Sequence, residues 1–233
     1  MDKRRVMLKL SGEALAIPNG GGYDEETVRK IARQVKSSVD KGVEIGVVIG
    51  GGNYWRGRSS NVIDRTKADQ IGMLATIMNC IYVSEIFRAE GLKTAVFSPF
   101  ICGTMTELFS KDRCNLLFKE GYVLFFAGGT GHPYFSTDTG IVLKAIELDA
   151  DMILLAKSID GVYDDDPEKN PNAKKYDTIS INEVIARQLK VVDLTASALC
   201  ADYKMPLAVF DLKEEGAIAA AMNGDVHGTI VTV

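Results

Sequence analysis

The stretch Glu44-Ile45-Gly46-Val47-Val48-Ile49-Gly50-Gly51-Gly52-Asn53 carries the most apolar strand-like run of the chain directly into three consecutive glycines. A short β-branched run without polar alternation reads as a strand covered on both faces, as in a parallel sheet flanked by helices. Upstream, Asp24 to Asp40 opens with acids in its first turn and lines up Val28, Ile31, Ala32, Val35 and Val39 as one stripe of helical period. Before it, Val6 to Leu10 is a second strand. Downstream, strands are expected at Thr94 to Phe97, Tyr122 to Ala127, Met152 to Ala156, Leu207 to Phe210 and Thr229 to Val233. A helix near Lys67 to Ala89 is expected to turn Ile71, Leu74, Ala75, Met78 and Ile81 inward. Another from Thr137 to Leu148 buries Ile141, Val142, Ala145 and Leu148, and a short one lies near Asp193 to Lys204. Strand, crossover helix and parallel strand in alternation predict a layered α/β fold.

No Ser/Gly-rich linker, internal repeat or low-complexity tract divides the chain, so residues 1–233 are expected to form a single domain. Asp164 to Tyr176 is the most polar stretch, and Pro167 and Pro171 predict a surface loop there. With 233 residues, 46% hydrophobic and 25% charged, the chain has enough apolar material for a full core. Its 27 Lys plus Arg against 31 Asp plus Glu give a net charge of −4, which argues against a basic nucleic-acid surface but leaves room for a local anion pocket. The apolar runs Val47 to Ile49 and Val123 to Ala127 fall far short of the roughly 20 residues of a membrane span. Lys9 and Glu13 interrupt what would be a signal peptide's apolar core, so a cytoplasmic protein is expected, without membrane or nucleic-acid partners. Cys80, Cys102, Cys114 and Cys200 form no C-x-x-C pair, and with His132 and His227 they give no zinc spacing; reduced, mostly buried thiols are expected and no protein-bound metal.

Four stretches could carry chemistry. Lys9-Leu10-Ser11-Gly12 ends the first strand, where ligands of open α/β sheets bind; Lys9 there is either a phosphate contact or a solvated strand-end lysine. Gly50-Gly51-Gly52, followed by Arg56-Gly57, is expected to take positive φ angles and aim several amides at one anion, the alternative being a plain tight turn. Neither G-x-x-x-x-G-K-[ST] nor a G-x-G-x-x-G after the first strand is present, which removes the main support for P-loop and dinucleotide-binding proteins. Gly128-Gly129-Thr130-Gly131 through Thr137-Asp138 joins a strand to a helix start, where exposed amides attract an anion or a polar ligand edge. Asp138 is there either a helix cap or a partner for Lys9. Lys157 to Pro167 follows another strand; its Asp164-Asp165-Asp166 run suits a divalent ion or simply solvent, and Tyr163 could stack on a base. Trp55 is read as a packing or interface residue.

In this combination and order the motifs resemble the bacterial uridylate (UMP) kinases of the amino-acid-kinase superfamily. The resemblance rests on Lys9 to Leu15, Val47 to Asn53 with Arg56-Gly57, Asp69 with Gly72 to Thr76 and Met78-Asn79, Gly129 to Asp138, Asp160 to Tyr163 with Asp166-Pro167, and Leu189 to Leu194. It implies the amino-acid-kinase fold, a three-layer α/β/α sandwich with a mainly parallel central sheet. It also implies transfer of the γ-phosphoryl group of MgATP to UMP, giving UDP and ADP in pyrimidine nucleotide biosynthesis, with Mg²⁺ held mainly by the nucleotide phosphates. Lys9, Arg56 and Asp138 would then be catalytic. ATP would meet Lys9, Leu10, Ser11, Gly12, Gly52, Arg56, Lys157, Tyr163 and Asp166. UMP would meet Gly51, Asp69, Thr130, Gly131, His132, Pro133, Tyr134, Phe135, Ser136 and Thr137. Ile17, Pro18, Asn19, Gly20, Gly21 and Gly22 match a segment associated with activation by GTP, and the resemblance further implies UTP as inhibitor and a homohexamer. With its helix starting near Lys67, Asp69 stands in the first turn, either as a cap or as the acceptor for the UMP ribose hydroxyls. The segment Ala156 to Asp160 departs from the family pattern, which often carries Thr or Asn where Lys157 or Ser158 stands.

Overall fold

The computed structural model describes residues 3–17, 22–55 and 62–233. Its strands are β1 (Arg5–Leu10), β2 (Glu44–Ile49), β3 (Lys93–Ser98), β4 (Glu107–Leu108), β5 (Tyr122–Phe126), β6 (Met152–Lys157), β7 (Val162–Tyr163), β8 (Lys175–Tyr176), β9 (Thr178–Ser180), β10 (Leu207–Asp211) and β11 (Gly228–Thr232). The helices are α1 (Glu25–Val39), α2 (Arg65–Ala89), α3 (Lys111–Lys119), α4 (Thr137–Glu147), α5 (Ile181–Ala186), α6 (Leu194–Tyr203) and α7 (Ala217–Met222). Among the described residues one sheet runs β4-β3-β5-β2-β1-β6-β10-β11-β9. Every pairing in it is parallel except β10 with β11.

The alternation of side chains along each strand splits the core into two layers. Val6, Leu8 and Leu10 of β1 face α1, α2 and α7, whereas Met7 between them belongs with α3, α4, α5 and α6. The fold is therefore the expected α/β/α sandwich. Cys80, Cys114 and Cys200 are buried, and burial pushes the Cys80 and Cys200 thiols up to about 12, which leaves them protonated packing groups. The stretch expected as a surface loop from Asp164 to Tyr176 differs only at its end, where β8 returns antiparallel to β7.

One expectation about packing is overturned. In α2, Ala75 is buried and Ile81 only partly so, but Ile71, Leu74 and Met78 are exposed; the face on the sheet is Ala68, Ala75, Thr76, Ile77, Cys80, Val83 and Phe87. α2 is apolar almost all round, so periodicity could not choose a side. Closeness of approach chose it: a Cβ on Gly51 would lie 2.9 Å from the Gly72 carbonyl and 3.0 Å from the Ala75 methyl, so only small residues fit where the glycine loop meets the helix. By length and composition α2 is also apolar enough to cross a bilayer, yet here one face is packed on the core.

Candidate active site

β1 lies between β2 and β6, so the chain leaves it towards one edge of the sheet and later returns on its other side. A crevice opens at such a reversal, outside the carboxyl ends of the strands. Lys9 and Lys157 close β1 and β6 there, Gly50 follows β2, and Gly128 follows Ala127 after β5.

The Lys9 ammonium is ion-paired with Asp138, and both side chains are largely buried, at 16% and 20% exposure. Asp138 is able to make this pair because it does not cap its helix. Ser136 is the N-cap of α4, its Oγ accepting from the amides of Asp138 at 3.0 Å and Thr139 at 3.3 Å. Of the two sequence readings of Asp138, the cap is thus excluded. Lys157 donates from Nζ to the Val191 carbonyl. Desolvation holds its ammonium below the usual lysine range, partly offset by nearby Asp138 and reinforced by Lys9. Two cations and one carboxylate therefore share a poorly hydrated spot, an arrangement suited to a polyanion. Asp193, to which the motifs assign no role, caps α6 through the Ala196 amide at 2.9 Å. It also accepts from Ser136 Oγ and, at 3.1 Å, from Thr139 Oγ1, tying the starts of α4 and α6 together.

The glycines of the β2 loop act differently from expectation. Gly50, Gly51 and Gly52 are not among the residues with positive φ. Closeness requires glycine at Gly51, against the Gly72 carbonyl, and at Gly12, whose Cβ would lie 2.5 Å from the Gly50 carbonyl; a Cβ on Gly52 would only displace the end of the Glu13 side chain, and one on Gly50 would make ordinary contacts. Asn79 of α2 pins this loop by donating to Gly50 O at 2.6 Å and Asn53 Oδ1 at 2.8 Å, while Tyr23 OH donates to Asn79 Oδ1 at 2.8 Å. The left-handed glycines are in the next loop, at Gly128, Gly129 and Gly131, with φ of 76°, 60° and 80°. Thr76 Oγ1 accepts from the Gly128 amide at 2.8 Å and fixes where that loop begins.

These two loops and α2 enclose a cleft of about 170 Å³. Of the residues expected there, Gly51, Asp69, Thr130, His132, Phe135, Ser136 and Thr137 line it; Gly131, Pro133 and Tyr134 belong to the same loop without lining it. Met73 and Gly128, from the motif stretches, also border it, as do Trp55 and Arg65, which the motifs do not foretell. Trp55 is held as a packing residue, its indole N–H donating to Ala68 O at 2.8 Å, and it also borders the cleft. α2 begins at Arg65, two residues before the expected start, so Asp69 lies just past the first turn. Asp64 is the N-cap, accepting from Lys67 N at 3.2 Å, so capping does not explain Asp69. Its carboxylate accepts instead from Arg65 Nε and from the Tyr134 amide.

Tyr163 and Asp166 lie beyond β6, apart from this cleft. The Tyr163 phenol donates to Asp160 Oδ1 at 2.8 Å, and Asp166 is paired with Lys169 at 3.1 Å. Leu10, Ser11 and Gly12 stand beside Lys9, with Ser11 Oγ accepting from Ala14 N at 3.3 Å. Arg56 and Pro18 to Gly21 lie outside the described residues, whereas Ile17 is half exposed and Gly22 is left-handed, with φ of 93°. No group of three or more His, Cys, Asp or Glu among the described residues is disposed to hold a metal ion.

Paired lysines and a carboxylate at the reversal of a parallel sheet, with a cleft of mixed polar and apolar lining alongside, make up a site for phosphate-bearing ligands. The chain belongs to the amino acid kinase family, whose sequence profile matches residues 4–211. It is similar to the solved UMP kinase from Bacillus anthracis, with 35% identity, coverage of 98% of this chain and 96% of the other, and a TM-score of 0.94. The UMP kinase from Ureaplasma parvum matches at 34% identity over 100% of both chains, again with a TM-score of 0.94. A uridylate kinase from Archaeoglobus fulgidus is more distant, at 25% identity, 97% and 99% coverage and a TM-score of 0.74.

Proposed function

We propose that this chain, as one domain working in the cytoplasm, transfers the γ-phosphoryl group of MgATP to UMP. The observation that carries the reading is the Lys9–Asp138 pair standing between a cleft with Asp69 on its wall and a second cation, Lys157, on the opposite flank. Phosphoryl transfer asks little covalent chemistry of a protein; it asks for in-line placement and positive charge around the moving oxygens. In this reading Lys9 stabilises the transferring group, Asp138 orients Lys9, and Lys157 neutralises charge on the donor phosphates. Leu10, Ser11, Gly12, Gly52 and Arg56 complete the phosphate surround, and Tyr163 and Asp166 meet the adenosine. The metal ion arrives as part of MgATP and neutralises charge on the phosphate oxygens. The acceptor is already an anionic phosphate, so no strong general base is called for and no phosphoenzyme forms. Gly51, Asp69 and the loop from Thr130 to Thr137 receive UMP, with Asp69 accepting from the ribose. ADP release measured with UMP, AMP, dTMP and carbamate as acceptors tests the assignment. UMP is expected to be the preferred acceptor, and turnover only with carbamate would overturn it.

The proposal extends to a homohexamer, supported by the uncovered apolar face of α2 at Ile71, Leu74 and Met78, which suits burial against another copy. The mass in solution is expected to be six times that of the chain, and a monomer at micromolar concentration would refute it. Activation by GTP through Ile17 to Gly22 and inhibition by UTP belong to the same proposal, and initial rates with each nucleotide added check them.

A further inference from the structure

Arg65 opens α2, a position where a cation is disfavoured by the exposed amides and the macrodipole. Its partner, Asp69, follows at i+4, the less favourable order for such a pair on a helix. Helix stability therefore does not account for an arginine here. Its surroundings do. Nε donates to both Asp69 oxygens at 2.9 Å, and the guanidinium carbon stands 5.5 Å from the centre of the Tyr134 ring. Asp69 Oδ2 also accepts from the Tyr134 amide at 2.8 Å. Tyr134 is left-handed, with φ of 71°, a conformation that a bulky residue keeps only when its neighbours over-determine it. The helix and the 130–136 loop are thus fastened at one carboxylate. An ionised carboxylate has about four acceptor positions. Oδ2 takes two of these contacts and Oδ1 one, which leaves Oδ1 a position for a donor within the cleft.

We propose that Arg65 is a positioning residue that sets affinity for the acceptor nucleotide. It holds Asp69 in the one orientation that both fastens the Tyr134 backbone and presents Oδ1 to a ribose hydroxyl. The inference rests on the reading of this cleft as the UMP site. An uncharged side chain at position 65 leaves Asp69 tethered only by the Tyr134 amide and free to turn away. Lysine restores the charge but not the planar donor.

Steady-state kinetics of Arg65→Met, Arg65→Lys and Asp69→Ala, with melting curves, test this. Arg65→Met is expected to raise KM for UMP by about tenfold or more, with kcat and KM for ATP within about twofold, since a hydrogen bond to a charged group is at stake only on the acceptor side. Arg65→Lys should fall in between. Discrimination against 2′-deoxy-UMP should shrink towards unity in Arg65→Met, a change that mere loosening of the fold would not produce. An unchanged KM for UMP in Arg65→Met overturns the proposal, as does a parallel rise in both KM values with a lowered Tm. Asp69→Ala separates the two levels. If it raises KM for UMP while Arg65→Met does not, only the role of Arg65 fails; if Asp69→Ala leaves that KM unchanged, the reading of the cleft itself fails.

Discussion

Replacing Lys9 with methionine is expected to lower kcat by about 10²-fold or more while KM for UMP stays near its original value, the usual loss when one preorganised donor to a transition state is removed. Lys9 is suited to this role by where it is held. Its ammonium is anchored on Asp138, its aliphatic stem lies at the end of a buried strand, and Lys157 stands close enough for the two charges to interact. Methionine keeps the unbranched shape, so β1 should remain paired with β2 and β6. The variant does leave the Asp138 carboxylate without its closest cation, with Lys157 still acting on it from further away. The double variant Lys9→Met/Asp138→Asn removes that uncompensated charge. If catalysis depends on the ammonium, the double variant stays as slow as the single one even where its Tm recovers. Recovery of turnover together with stability would mean that the loss came from the stranded carboxylate and not from a missing transition-state contact.

The second large effect concerns the base. UMP should be preferred over CMP by at least about 10²-fold in kcat/KM, below the ceiling of about 10⁴ seen where a site's buried polar groups would be left unpaired. The loop from Gly128 to Thr137 offers amides, carbonyls and hydroxyls, its start fixed by the Thr76 contact and its sharp course permitted by three left-handed glycines. Uracil presents N3–H as donor and O4 as acceptor, whereas cytosine presents N3 as acceptor and its amino group as donor. Fixed partners matched to one pattern meet like with like in the other. Equal kcat/KM for the two nucleotides under the same MgATP would remove this argument while leaving the Lys9 prediction untouched.

How far the sequence reached depends on element length and on which contacts are local. Every strand of the sheet's centre was legible because each is a run of five or six residues with a glycine or helix signal nearby. β4, β7, β8 and β9 are two or three residues long and exist only through their partners. The α3 helix was missed because its nine residues are mostly polar and bury only Cys114, Leu117 and Phe118. At the site, Lys9, Asp69 and the 130–137 loop were readable as motifs at strand and helix ends. The Ser136 cap is local and was hidden only because Ser136, Thr137 and Asp138 are all capping residue types. The outward turn of Ile71, Leu74 and Met78 and the closeness role of Gly51, by contrast, are set by approach between distant segments. One-dimensional periodicity does not encode them. Arg65 was invisible for a related reason: its significance comes from Tyr134, a residue far away in sequence.

The order of the sheet separates the two substrates in a way that bears on inheritance. On one side of β1 stand β2, β5 and α2, with Gly51, Asp69 and the loop ahead of α4; on the other stands β6, with Lys157 at its end and Tyr163 and Asp166 in the segment beyond. Under the proposed function, the first flank grips the molecule that receives phosphate and the second grips the one that gives it, and Lys9 on the shared central strand serves both. A lineage can then rewrite its acceptor flank, trading one recipient for another, without retuning its hold on the donor. On that reading, a family named for amino acids can include kinases of a nucleotide, because a change of recipient would leave the giving half and the dividing strand in place.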